Sequence, residues 1–130
     1  MQIVNLMTAN PIVINADDTL ANAKAVMDDG RFRRLPVVED GKLVGIVTER
    51  DVREHAGYFR STRVNAAMRA PVITLTPYAT VEDAARLMLK HKIGGLPIVD
   101  DGKVVGIVTT SDLLKAFLVV VQATSHIMDR

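Results

Sequence analysis

One segment of this chain occurs twice. Arg34 to Asp51, RLPVVEDGKLVGIVTERD, returns as Gly95 to Asp112, GLPIVDDGKVVGIVTTSD, at a constant offset of 61 residues. Aligning Thr19–Arg53 on Thr80–Leu114 gives 15 identities in 35 positions. A duplication on this scale fixes the architecture before any local argument is made. It predicts two copies of one small unit, related by an approximate two-fold axis, with two equivalent clefts between the copies. A half-chain of about 60 residues is marginal alone, so the copies are expected to pack together. The domains expected are residues 1–60, a first repeat with an N-terminal lead-in, and 61–130, a second repeat with a C-terminal helix.

Each copy reads as strand, helix, strand, strand, helix. In the first, Ile12 to Ile14 follows Pro11 as a short apolar strand. Thr19 opens a helix with Leu20, Ala23, Val26 and Met27 on one face, and Gly30 stands where a terminating glycine belongs. Leu35–Val38 and Leu43–Val47 flank Asp40-Gly41, a hairpin signature. Thr48 starts a second helix, and 54–65 is the connector. In the second copy Val72–Leu75 is the strand, and Thr80 opens a helix with Val81, Ala84, Leu87 and Met88 inward. Leu96–Val99, Asp101-Gly102 and Val104–Val108 form the hairpin. The last helix, from Thr109, carries an apolar stripe of Leu113, Leu114, Phe117, Leu118 and Val121. The segments VNLM (Val4–Met7) and VNAAM (Val64–Met68) indicate that the lead-in is duplicated too. Pro11 and Pro71 pair at an offset of 60, so one residue has been gained or lost near them.

Bulk properties exclude several classes. A net charge of +1 is too balanced to argue for nucleic acid. There is no Cys, hence no disulfide and no thiolate metal site. His55, His91 and His126 are scattered without metal-ligand spacing, so no metal is expected. The start, MQIVNLMTANP, has neither a basic flank nor a long apolar run, and no signal peptide is expected. The longest apolar run, Ala116–Val121, is far short of the roughly 18 residues of a membrane span. A cytoplasmic protein without a membrane partner is the expectation. No nucleophile elbow, phosphate-binding loop or zinc-protease motif is present, so no catalytic residues are assigned and no enzyme is expected.

The motif Thr-x-x-Asp closes each copy, at Thr48–Asp51 and Thr109–Asp112. At a strand-to-helix junction it is a capping box that satisfies the unpaired N–H groups of the first turn. A carboxylate at that position is also an acceptor for a pair of ribose hydroxyls, and the two roles are compatible. Arg33-Arg34 precedes Leu35-Pro36, where the second copy has Gly94-Gly95. The arginines read either as solvated charges or as a phosphate clamp, and the glycines would let backbone approach a ligand. Lys90-His91-Lys92 suits a helix C-terminus.

Leu-Pro-Val/Ile-Val, Asp-Gly-Lys, Val-Gly-Ile-Val-Thr and the final Thr-x-x-Asp, each present twice and in order, resemble a tandem pair of CBS (cystathionine-β-synthase) domains, or Bateman module, from about Val4 to Lys115. Within that family, KIGGLPIVDDGKVVGIVTTSDLLKAF is similar to acetoin-utilisation proteins and other stand-alone pairs. Many acetoin-utilisation proteins carry a further regulatory domain after the pair, which is not expected here. The resemblance implies an α/β fold of two βαββα repeats packed through their sheets with pseudo-two-fold symmetry. It implies clefts for adenosine-containing ligands: AMP, ADP, ATP, S-adenosylmethionine or NAD. Carried over, Asp51 and Asp112 would hold ribose hydroxyls with Thr48 and Thr109, and Arg33 and Arg34 would reach phosphates. Ile12, Val72, Pro36, Gly95 and Pro97 would line the adenine pocket. Gly94 and Gly95 depart from the basic pattern. No cofactor is required, the nucleotide acting as a regulatory ligand. The family also implies disc-like homodimers, with Ala116–Val121 either at that contact or capping its own core. The function implied is a non-catalytic module that signals energy or metabolite state to an unknown effector protein. The alternative is a degenerate dimerisation scaffold with no ligand.

Overall fold

A computed structural model describes residues 1–128, with side-chain surroundings through residue 125; the His126 side chain lies outside the described residues. The chain forms two compact units. The first comprises Ile12–Ile73 with the hairpin tip Asp101–Val104. The second takes Met1–Pro11, Thr74–Asp100 and the chain from Val105.

In the first unit, β2 (Ile14–Asn15) pairs parallel with β3 (Arg34–Glu39), which pairs antiparallel with β4 (Lys42–Thr48). Helix α1 (Leu20–Gly30) is capped by the Thr19 side chain, which accepts from the Asn22 N–H at 3.2 Å. Helices α2 (Glu49–Glu54) and α3 (Val64–Ala67) follow. The inward residues of alternating strands and of the α1 face meet in one core: Ile14, Leu20, Ala23, Met27, Leu35, Val37, Val47, Val52 and Val64. Val26 packs on its margin. In the second unit, β1 (Thr8–Ala9) lies antiparallel to β6 (Lys103–Thr109), which neighbours β5 (Gly95–Asp100). Helices α4 (Val81–His91) and α5 (Thr110–Met128) complete it. Its buried apolar residues are Ile3, Ala84, Met88, Leu96, Ile98, Val108 and Ala116. Val81 and Leu87 are only partly buried. The turns Asp40-Gly41 (φ 51 and 78) and Asp101-Gly102 (φ 51 and 77) have positive φ at both central positions, the type I′ geometry that Asp-Gly favours. Each copy is thus a βαββα-like repeat.

The lead-ins are exchanged. In the second unit, β1 pairs Thr8 with Ile107, and the Val81 N–H donates to Met1 O at 3.0 Å. In the first unit, Arg69 pairs with Ile46, and the Leu20 N–H donates to Thr62 O at 2.9 Å. These contacts superpose under the 61-residue offset, yet each joins the lead-in of one repeat to the body of the other. The glycines of Val-Gly-Ile-Val serve this docking. A Cβ on Gly106 would meet the Met7 thioether, and one on Gly45 the Met68 thioether.

Four sequence expectations change. Helix α1 ends with Arg31, not a glycine, in the left-handed conformation at φ 57; Gly30 is instead the last helical residue, needed because the Phe32 ring occupies the space of its Cβ. The first strand starts at Ile14, leaving Ile12 51% exposed. The chain turns at Asn10, φ 50, which is the extra residue ahead of Pro11. Val72–Leu75 is not a ladder strand: only Leu75 bridges, to Ile98. In the first unit the Ala16 N–H extends the ladder by donating to Val38 O at 2.9 Å, and its counterpart is Pro77, which has no N–H to give. Finally, the α5 stripe is not buried as a core face. Leu113 is half-buried, but Leu114, Phe117, Leu118 and Val121 are 41–61% exposed.

Candidate functional site

The two Thr-x-x-Asp frames form as the sequence predicts. Strand β4 delivers Thr48 in extended conformation to the start of α2, and Thr48 closes a reciprocal capping box with Asp51. Asp51 Oδ2 accepts from the Thr48 N–H and from Thr48 Oγ1, both at 2.9 Å. The Asp51 N–H donates to Thr48 Oγ1 at 3.2 Å. In the second unit, Asp112 Oδ2 accepts from the Thr109 N–H at 2.8 Å and from Thr109 Oγ1 at 3.0 Å. Each carboxylate is therefore held by one oxygen. This geometry orients the other oxygen without using it, which is what an acceptor for a hydroxyl ligand requires.

The second oxygens differ. Asp51 Oδ1 accepts from Arg69 Nε at 3.1 Å, in an ion pair whose carboxylate side chain is 3% exposed and whose arginine is 57% exposed. Asp112 has no such partner among the described residues and is only half-buried. Sequence reasoning missed Arg69. It lies 18 residues from Asp51, and only the exchange of lead-ins brings it there.

The other expected site residues fall in distinct places. Arg34 sits opposite Thr48 in the β3–β4 ladder, beside the first frame. It is half-buried, and desolvation, then the neighbouring Arg33 charge, lowers its pKa from the ordinary arginine value. Arg33 is exposed. It lines an open groove with Lys24, Arg31, Phe32, Glu49 and Arg53, to which Arg34, Thr48 and Asp51 do not contribute. The Arg33 carbonyl accepts from the Glu49 N–H at 2.8 Å, and the Gly94 carbonyl accepts from the Thr110 N–H at 3.0 Å. The pre-strand residues thus tie strand to helix in both copies. Pro36, Gly95 and Pro97 are buried in their strands. Ile12 is exposed and Val72 half-buried. Lys90 and His91 stand in the last turn of α4, which Lys92 caps at φ 54. Among the described residues no group of three or more metal-ligating side chains is assembled, and no helix is long and apolar enough to cross a membrane.

Known proteins share this arrangement. The chain is 36% identical over 131 residues to protein MJ1404 of Methanocaldococcus jannaschii, matching 88% of this chain and 31% of that one. It is 34% identical to a CBS domain-containing protein of Dictyostelium discoideum, over 90% and 91% of the two chains. To inosine-5′-monophosphate dehydrogenase of Helicobacter pylori it is 41% identical, matching 82% of this chain but 22% of the enzyme. The chain therefore spans about a third of the first relative and about a fifth of the dehydrogenase. Among solved structures, AcuB of Vibrio cholerae, named for acetoin utilization, superposes with a TM-score of 0.84 at 31% identity, over 97% and 96% of the two chains. The CBS domain pair of protein MJ0100, solved with 5′-methylthioadenosine and S-adenosyl-L-methionine, superposes with a TM-score of 0.83 at 30% identity, over 90% and 95%. CBSX2 in complex with AMP superposes with a TM-score of 0.84 at 27% identity, over 92% and 97%. The CBS domain pattern matches residues 3–58 and again 64–119. With both copies of the repeat matched and both Thr-x-x-Asp frames formed, the chain belongs to the CBS domain family.

Proposed function

We propose that the chain is a regulatory module that binds an adenosine-containing ligand and alters the behaviour of a partner protein, without making or breaking a bond. The observation that carries this is the doubled carboxylate frame. A Thr N–H and hydroxyl fix one oxygen of each Asp at a helix start, in a fold whose solved neighbours hold AMP or S-adenosyl-L-methionine with 5′-methylthioadenosine. In this reading a Thr–Asp frame, Thr48 with Asp51 or Thr109 with Asp112, holds the ribose hydroxyls. Arg34, beside the first frame, and Arg33 offer charge to phosphates; Ile12, Pro36 and Val72 in the first unit, and separately Gly95 and Pro97 in the second, are the candidate adenine contacts. The ligand acts by binding one conformation of the module better than another.

The reading includes self-association. On α5, Leu114, Phe117, Leu118, Val119, Val120 and Val121 are 41–61% exposed. A contiguous apolar face of this kind is typical of a protein contact, and a second copy of the chain is the proposed occupant.

The test is a thermal-shift series with AMP, ADP, ATP, S-adenosylmethionine and NADH. A ligand at 100 times its Kd adds about 2.7 kcal/mol, which raises Tm by several degrees. Stabilisation by one member of the panel supports the sensor. A folded, ligand-free protein indifferent to all five is instead a dimerisation scaffold.

A further inference from the structure

We propose that Arg69 withdraws the Asp51 carboxylate from ligand binding, so that the module takes a single nucleoside ligand, through Asp112. The inference rests on the adenosine-binding reading above and deepens it.

The duplication supplies the internal comparison. Under the 61-residue offset Asp51 corresponds to Asp112, Thr48 to Thr109 and Arg69 to Thr8. The Thr–Asp geometry agrees within 0.1 Å at both oxygen-to-donor contacts: 2.9 and 2.9 Å in one frame, 2.8 and 3.0 Å in the other. The main chains that deliver Arg69 and Thr8 also agree, Arg69 bridging Ile46 and Thr8 bridging Ile107. Only the side chain differs. Thr8 is exposed and makes no hydrogen bond to Asp112, whereas Arg69 donates through Nε to Asp51 Oδ1 at 3.1 Å.

A ribose diol brings two neutral hydroxyls. To bind at Asp51 it would have to displace a guanidinium, which brings a full positive charge to the carboxylate where hydroxyls bring only dipoles. The exchange would also remove the cation that compensates a carboxylate almost fully buried. Arg69 is not free to swing away on a loose segment. Its N–H donates to Ile46 O at 2.8 Å, and its carbonyl accepts from the Ile46 N–H at 3.0 Å. At Asp112 none of these obstacles exists. The carboxylate is half-buried, and its second oxygen has no protein donor among the described residues. The two copies therefore keep the same frame but divide its use: structural and self-paired in the first, open in the second.

Isothermal titration of the full chain with AMP, and separately with S-adenosylmethionine, tests this. The wild type is expected to bind one ligand per chain. Asp112→Ala is expected to abolish that binding, and Asp51→Ala to leave it within a few-fold. Arg69→Thr copies the residue that the second unit already carries and is expected to raise the stoichiometry to two. The reciprocal Thr8→Arg, at an exposed position, is expected to close the Asp112 site. It keeps the test decisive if Arg69→Thr does not fold. Two ligands per wild-type chain, or binding lost in Asp51→Ala and kept in Asp112→Ala, would overturn the assignment while leaving the adenosine reading intact. Thr8→Arg binding as the wild type does would overturn it equally. Silence of both ligands in the wild type and in Arg69→Thr would overturn the adenosine reading, and this inference with it.

Discussion

The exchange of lead-ins makes a quantitative prediction at Gly106. Its Cα faces Ala9 across the β1–β6 ladder. A Cβ added there would sit 2.9 Å from Met7 Cγ and 3.1 Å from the Thr8 carbonyl oxygen, with the Met7 sulfur closer still. The thioether can rotate away, but the Thr8 carbonyl is held in the ladder. Overpacking of this kind costs about 1–3 kcal/mol. Gly→Ala returns about 0.4–1 kcal/mol by restricting the unfolded chain, and Gly106 does not have the positive φ that would cancel that gain. Gly106→Ala should therefore lose up to about 2.6 kcal/mol net. Removing the Met7 side chain relieves the sulfur and Cγ contacts but not the carbonyl one. In the Met7→Ala background the overpacking term should thus fall by roughly half, a coupling of about 0.5–1.5 kcal/mol, against a scatter of about 0.3–0.5 kcal/mol expected for independent sites. Urea unfolding of the two single variants and the double variant, followed by far-UV circular dichroism, measures it. The control is the pair Met68→Ala with Gly106→Ala, which should be additive. Coupling of Gly106 to Met68, with additivity toward Met7, would mean that each lead-in docks on its own repeat and would refute the exchange.

Two further outcomes are expected. Asp83 completes the capping box of α4 by accepting from the Thr80 N–H at 3.1 Å. That backbone bond first, then the Thr80 side chain, lowers its pKa below the usual aspartate range. The stabilisation it gives is present above the unfolded pKa of about 3.9 and is lost as pH falls through the lower folded value. The carboxyl titration read by NMR should have its midpoint below that of exposed aspartates, and Asp83→Asn should flatten the acid limb of the stability curve; an ordinary midpoint would dismiss the box. On α5, Leu118→Asp places a charge in the exposed apolar face. On the proposed self-association through α5, it should shift the chain from dimer to monomer in light scattering after size exclusion without changing its Tm by more than about 2–4 °C, the shift that 1 kcal/mol gives in a larger domain. An unchanged mass would remove α5 from the contact.

Much of the fold was legible because its determinants are local. Asp-Gly is read as a type I′ turn from two residues, and both turns adopt it. Thr19, Thr48 and Thr80 cap helices from the positions where their side chains can reach the third N–H. Identical duplication, however, conceals pairing. Met7 and Met68 are the same residue, as are Gly45 and Gly106, so an exchanged and an unexchanged lead-in bury the same groups and leave the same sequence. Two local readings also failed for physical reasons outside their windows: Gly30 answers to the Phe32 ring rather than to a left-handed turn, and the apolar stripe of α5 stays largely open.

A duplicated chain is most informative where its copies disagree. Positions at which both halves agree describe what the βαββα unit needs to fold: the proline and apolar pair of the buried strand, the turn glycine, the glycine under the lead-in methionine, and the capping threonine and aspartate. Positions that differ are free of that requirement and can report on what each half does. Beside the Thr-x-x-Asp frames, three of the differences put positive charge on one side. The first unit has Arg33, Arg34 and Arg69 where the second has Gly94, Gly95 and Thr8. Arg69 satisfies Asp51, while Arg34, opposite Thr48, adds a half-buried cation whose charged form burial and Arg33 both disfavour. An anion entering near Arg34 would relieve that pressure, whereas a neutral diol would gain nothing at a carboxylate already neutralised. The second unit offers the converse, an Asp112 oxygen with no donor among the described residues and small residues in the corresponding positions. On the proposed reading, the same backbone frame would take negative groups in the first unit and hydroxyl donors in the second, a division of labour that would follow from three substitutions rather than from any change of fold.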